Sequence, residues 1–482
     1  MKYRPSKSFV YLMVTFCPLL VALFFGLLPE VPGFEARPIP GEITFSNQKP
    51  TFKATTQVST HRSAPIHLSD WFEESYENLM RWEYNPWKTD HSDEFGEHFR
   101  KLLKSSNPAD IAQGKEMQRR MDAFHQKLLL RYPEMAVTMK AIPDDQNGFL
   151  KWLEFSERLK KSSGLDSPNL GIPQDLVHYL NDGGPWNAEV ARAWLSQQKS
   201  LVDEIRAIGL MPDSSVNDVA VDRWAFTSAR LAKQSAECLM TEARLYAEEG
   251  NAAAAMESIR AAKGFSDHFT EVETPTLLAA TVRILIQLEL ENRVLTEIMP
   301  ALPAGQVDPT AWESVLNPTV SQPSEFTRYM KGVWSATTRQ YLLPMLFDPE
   351  DSYQLPDGGD MLDAYSSLFV ETVRTHEGAA LTDLPTLNMP SDPDVSQLSL
   401  RSRKILEVLS VGGGAWRKGW DRSQSATVMT QAAFAIMEGQ PIPRDPVYGK
   451  DYQWDPATRQ LSMPAGKEFE GMTIKPITVP KL

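Results

Sequence analysis

The chain has 482 residues, a formal net charge of −13 and a pI near 5.3. That length allows two or three domains, and an ordinary hydrophobic content of 42% allows a sizeable core. The acidic balance argues against nucleic acid or an anionic lipid surface as the main partner, since neither attracts an acidic body.

The amino terminus carries the first organisational signal. Lys2, Arg4 and Lys7 precede Ser8 to Leu28, a stretch of 21 residues without a charge. That length crosses a bilayer core as a helix. The positive flank predicts a cytoplasmic amino terminus and an extracytoplasmic bulk, so the expected protein is single-pass, with residues 1–28 as anchor. Pro18 is a kink that a membrane span tolerates. A cleaved signal peptide competes with a retained anchor, although Phe34-Glu35-Ala36 is a poor cleavage site. Phe16 before Cys17 fits no lipoprotein signal, and Gly33-Phe34-Glu35 follows the apolar segment where a pilin-type leader would open it.

Residues 29–68 carry Pro29, Pro32, Pro38, Pro40, Pro50 and Pro65 and no regular period. They predict a linker. As a coil, about 40 residues span on the order of 35 Å.

A helical body is expected over 69–400. Asp70 and Glu73 open a helix that Pro86 stops, and another runs from Asp93 to Leu103. Asn107 caps the next, with Pro108 at its first position. Its stripe is Met117, Met121, Phe124 and Leu128, and Pro133 ends it. Further helices are predicted over 149–161, 188–208, 218–249, 252–269 and 275–291, the last with Thr274 as cap and Pro275 first. Looser patterns follow over 309–316, 324–342, 359–376, 399–410 and 423–438. Repeated helices with short polar breaks mean an all-α fold.

Leu231, Ser235, Leu239, Ala243 and Tyr246 share one helical face, Gly250-Asn251 breaks the pattern, and Ala255, Met256, Ile259 and Ala262 resume it. This reads as an antiparallel helical hairpin. Leu239, Ala243, Tyr246, Gly250, Ala255, Ile259 and Ala262 resemble the large, small, aromatic and turn positions of a tetratricopeptide repeat. Glu242 departs from the pattern where Leu is usual, and Asp267 where Pro often closes the repeat. The resemblance covers about 35 of 482 residues. It implies a degenerate α-solenoid; an ordinary αα-hairpin is the alternative.

Residues 401–482 change character. Tyr452 and Trp454 alternate, and Asp455-Pro456 is a turn signal, so a small β-hairpin is expected with arms near 450–454 and 459–463. Asp445, Pro446, Gly449 and Tyr452 resemble the D-P-x-x-G-x-x-Y segment of type II secretion pseudopilins. The pilin leader is missing, so the resemblance implies local shape alone.

No motif supplies a catalytic, cofactor or metal site, and no cofactor is expected. Asp145, Asn147, Gly148, Leu150 and Glu154 resemble part of an EF-hand loop, but Pro143 stands at its first ligand position. A turn leading into a helix that buries Trp152 and Phe155 is the preferred reading. Glu94 and His98 lie one turn apart with no third ligand nearby. Cys17 lies in the apolar segment, and Cys238 is expected as a buried inert thiol. Gly412-Gly413-Gly414 is read as a flexible joint. Glu248 with Glu249 and Asp360 with Asp363 are read as solvated or helix-end carboxylates. The twelve tryptophans, spread along the chain, are expected to anchor helix packing.

The function expected from these signs is a membrane-anchored, extracytoplasmic helical scaffold that binds a protein partner. The alternatives are a cell-envelope enzyme whose acidic site forms only in three dimensions, and a component of an envelope secretion or assembly system.

Overall fold

The structure, a computed structural model, describes residues 45, 66–67, 97–163, 170–216, 229–347, 355, 357–387, 395–400, 402–403, 405–406, 413–469 and 472–481. The apolar segment 8–28, the helix expected from Ser69, Glu94 and Gly412 lie outside the described residues. Among the described residues no helix is long and apolar enough to cross a membrane.

The fold is mostly helical. After a short strand β1 (Ile66–His67) come α1 (Glu97–Lys104), α2 (Pro108–Arg131), α3 (Gly148–Ser163), α4 (Gln174–Asp182), α5 (Ala188–Gln197), α6 (Lys199–Gly209), α7 (Ala229–Glu248) and α8 (Ala252–Asp267). Then come α9 (Leu277–Arg293), α10 (Pro309–Leu316), α11 (Pro323–Thr337), α12 (Gly358–Glu377) and α13 (Gly413–Glu438). Single π-turns, Val294–Ile298 and Thr338–Leu342, continue α9 and α11 into short helical ends.

Local chemistry sets several boundaries. Asn107 Oδ1 accepts from Ala109 N, with Pro108 where no donor is needed. The α7–α8 turn is a Schellman closure: Gly250 N donates to Ala247 O, and Asn251 N to Tyr246 O. Gly250 takes φ +72°, and Asn251 Oδ1 caps α8 through Ala254 N.

Four expectations need correction. Residues 188–208 are two helices, α5 and α6, broken at Gln198. The cap of α9 is Thr276 rather than Thr274, because the Thr276 hydroxyl accepts from Ala279 N and puts Pro275 outside the helix. Gly413 and Gly414 are the first residues of α13, ten residues ahead of the expected start at 423, rather than part of a joint. Helix α4 was not anticipated; it is short and ends at Gly183 in the left-handed conformation.

From α5 to α11 the helices zigzag. Each packs against the next but one: α5 on α7, α6 on α8, α7 on α9, α8 on α10 and α9 on α11. Helix α7 lies inside this stack and is buried on nearly every side. Its charged residues are therefore paired. Lys233 reaches Glu237 at 3.1 Å and Asn181 at 3.0 Å. Glu242, the departure from the repeat pattern, takes Arg206 of α6 through both carboxylate oxygens and Ser258 of α8 at 2.6 Å.

Other elements close the stack. Helix α13 packs on α9 and α10, and α2 packs on the helical end that follows α11. At the end of α2, Arg131 grips Asp363 of α12 with two bonds of 2.5 and 2.7 Å. Tyr132 donates to the same carboxylate at 2.6 Å. Beyond α13, strands β2 (Gln453–Asp455) and β3 (Gln460–Ser462) pair antiparallel, with Trp454 opposite Leu461. After β4 (Met472–Thr473), strand β5 (Ile477–Thr478) pairs antiparallel with β3. Tyr452 fixes this sheet to α13 by donating to Ser425 O at 2.7 Å. Strand β1 pairs in parallel with β4.

The Glu242–Arg206 pair sets a test. Glu242→Ala leaves the Arg206 guanidinium with Asp203 alone, at 2.9 Å, and is expected to destabilise by roughly 2 kcal/mol. The double change Arg206→Met with Glu242→Leu, which restores the apolar residue of the repeat pattern, is expected to lie within about 1 kcal/mol of wild type. Urea midpoints of the three chains decide. Equal loss in the single and double variants would show that the pair itself, not the loss of half of the Arg206 compensation, carries the stability.

Candidate functional site

Helix α9 buries three polar residues, Thr281, Glu291 and Arg293. Leu277, Ile284 and Glu291 follow at intervals of seven, so Glu291 occupies a core position. Its carboxylate faces α13. Thr430 donates to Oε2 at 2.8 Å, and Gln287 donates to Oε1 at 2.8 Å. Gln287 also reaches Thr427 at 3.2 Å. These hydrogen-bond partners are neutral. Burial therefore dominates, and the Glu291 carboxyl is pushed up to about 7.

Just over two turns before Glu291, Arg283 is fixed among three elements. It lies 3.3 Å from Asp267 of α8 and 3.4 Å from both Glu325 and Tyr329 of α11. Arg283, Gln287, Tyr329, Trp420, Gln424 and Thr427 line a cleft between α9, α11 and α13. Its empty space is about 320 Å³ including the open mouth, but the closed part has room for one water molecule at most. Gln424 is already spent: Oε1 accepts from Ser321 N at 2.6 Å and Nε2 donates to Trp420 O and Ser423 Oγ. The arrangement can hold a proton on Glu291 and order a water. A single buried carboxylate with neutral partners is not a cation site.

A second buried cluster lies on α12 and α13. Arg417 donates to the carbonyls of Leu384 and Leu387, sits 3.5 Å from Asp421 and touches His376 Nε2 at 3.5 Å. His376 Nδ1 is 2.8 Å from Thr372 O, so that nitrogen carries the hydrogen. Burial raises Asp421 to about 6 despite Arg417. Arg417 spends its best bonds on backbone, which tethers the Leu384–Leu387 segment to α13.

The residues singled out in the sequence do not converge. Asn147 is buried; its amide donates to Ser215 O at 2.8 Å and its Oδ1 accepts from Ser215 N and Leu150 N. Gly148 N donates to Asp213 O, while Glu154 is exposed and pairs with Lys151 at 2.9 Å. The EF-hand-like residues thus clamp the 213–216 segment, and Trp152 and Phe155 pack inward. Ser214 joins that clamp through His268 Nδ1 at 2.5 Å. Among the described residues no group of three or more His, Cys, Asp or Glu side chains could hold a metal. Cys238 is buried, which pushes its thiol far up. Glu248 pairs with Arg244, and Glu249 with Arg192.

Asp363 corrects its sequence reading. It is 1% exposed and is the acceptor for Arg131 and Tyr132, not a solvated helix-end charge. Trp152, Trp194, Trp312, Trp334, Trp416 and Trp420 are buried. Two of them find side-chain acceptors, Trp334 in Ser366 and Trp416 in Thr281.

Sequence reasoning missed Glu291, Arg283 and Asp421. The first had a readable signal, a carboxylate in phase with the apolar stripe of α9. Comparisons with protein-family models, with curated proteins and with solved structures gave no match.

Glu291 makes stability depend on pH. The unfolded carboxyl releases its proton near 4.5 and the folded one near 7, so the folded state binds more protons between these values. Stability from this group is fully present below pH 4.5 and is lost as pH rises through 7, by about 3 kcal/mol. Glu291→Gln is expected to remove that share of the slope. Denaturant midpoints from pH 4.5 to 8 test it, and parallel curves for the two chains would refute it.

Proposed function

We propose that this protein is a membrane-anchored, extracytoplasmic helical scaffold that binds a protein partner. The carrying observation is the zigzag from α5 to α11, in which each helix packs against the next but one. That contact pattern is the one by which stacked helix pairs bury a continuous core, as the tetratricopeptide-like residues of α7 and α8 imply. Such stacks offer extended two-layer surfaces, and their ends are covered by atypical elements. Helix α2, packed on the helical end that follows α11, takes the covering role there. The charge-flanked apolar segment 8–28 supports the anchor and the extracytoplasmic placement of the body.

The alternative of an envelope-polymer enzyme draws on one observation, the buried Glu291 behind the α9–α11–α13 cleft. Glycosidic chemistry needs two carboxylates across the scissile bond. Glu291 has Gln287 and Thr430 beside it where the second would stand.

Photo-cross-linking from defined positions in membranes tests the scaffold reading. A photoreactive residue at exposed Ala193 or Gln197 reports on the layer of α5, and one at exposed Glu257 or Arg260 on the layer of α8. The expected result is one discrete protein adduct from the positions of one layer and none from the other. Uniform labelling from both layers, or from neither, would overturn it.

A further inference from the structure

Helix α13 lies across α9 with no charge in the stretch that does the packing. Residues 423–437 contain no Asp, Glu, Lys or Arg. The polar ties of that stretch are neutral: Ser321 N donates to Gln424 at 2.6 Å, and Gln431 donates to Pro318 O at 2.6 Å. Glu291 of α9 is the acid set against it, through Thr430 at 2.8 Å. The β2–β3–β5 sheet rides on α13 through Tyr452, and strand β5 packs on the π-turn Val294–Ile298 that continues α9. Helix α13 and the sheet therefore hold α9 at Glu291 and again just beyond it.

The surroundings of the carboxyl suit its protonated form. Gln287 spends its amide hydrogens on Glu291 Oε1 and Thr427 Oγ1. Thr430 Oγ1 has a second acceptor in reach, Ala426 O at 3.5 Å, so it accepts a hydrogen from a protonated Oε2 and passes its own to that carbonyl. An ionised carboxylate would need a cation, and those nearby are committed. Lys263 of α8 pairs with Asp267 at 2.5 Å, and Arg283 of α9 with Asp267 of α8 and with Glu325 and Tyr329 of α11. On α7, Lys233 pairs with Glu237, Glu242 with Arg206 and Arg244 with Glu248. Arg293 is spent on Glu289, Glu297 and Leu180 O. On α13 the charges stand outside 423–437, Asp421 beside Arg417 and Glu438 beside Thr310. Water is what remains, and the α9–α11–α13 cleft is lined by Gln287 and Thr427, one side chain from Glu291.

We propose that α13 and the sheet form a proton-controlled clasp: when Glu291 loses its proton, water entering through the cleft solvates the carboxylate, and α13 parts from α9 while α7 and α8 stay folded. The event is local, unlike a change in overall stability, because it breaks only the neutral ties of α13 and the contact of β5 with the π-turn.

Amide hydrogen exchange of the full chain, read by mass spectrometry and corrected for the chemical exchange rate, separates local opening from global unfolding. The Glu291 carboxyl titrates near 7 in the closed clasp and near 4.5 once solvated, so opening is favoured about 10-fold more at pH 8 than at pH 6. Protection of peptides from 424–437 and 453–462 is expected to fall at least about 10-fold over that range, with peptides from α7 and α8 unchanged. Asp421, raised to about 6, supplies about 2-fold in the same range. Glu291→Gln keeps the neutral bonds and is expected to leave no more than that residue's share. Equal falls in α7, α8 and α13, or no fall in α13, overturn the proposal from the wild type alone. So does a 10-fold fall that survives in Glu291→Gln.

Discussion

At the crossing of α6 and α8 the two backbones touch. A Cβ on Gly209 would stand 2.1 Å from Ala261 O, and one on Gly264 would stand 2.0 Å from Gly209 O. No side chain fits there, so the two helices meet at the closest distance polypeptide allows. That approach brings α6 and α8 together and leaves α7 with neighbours on all sides. The near-total burial of α7 follows, and so does the need to neutralise each charge it carries. Lys233, Glu237 and Glu242 are all below 9% exposed and all have partners across or along the helix.

The body solves the same problem repeatedly. A buried or half-buried ion pair lies in three seams: Arg206–Glu242 between α6 and α7, Arg283–Asp267 between α8 and α9, Arg131–Asp363 between α2 and α12. Such pairs add little net stability over apolar residues of the same shape, because desolvation offsets their attraction. What they do is penalise misregister, since a helix that slips by one turn strands a charge. In a stack of small-residue helices, where Ala and Gly faces interlock in more than one way, that penalty selects one packing. Glu291 is the exception. With only neutral hydrogen-bond partners its carboxyl is pushed up to about 7, and the α9–α13 seam becomes sensitive to protonation.

Much of this was legible in the sequence, for stated reasons. Asn107-Pro108, Gly250-Asn251 and the stripe Met117, Met121, Phe124, Leu128 depend on contacts within one helix or one turn, and the structure places each as read. The break at Gln198 was not legible, because both sides carry the same apolar period. Thr274 and Thr276 flank Pro275 and both carry a capping hydroxyl; the folded chain uses Thr276, which takes Ala279 N, and Gly332 lets α11 approach Pro275 O closely. Asp363 was misread because the partner that buries it is 232 residues away. The cleft and Glu291 likewise depend on α13 returning across α9, a long-range event that no local period encodes.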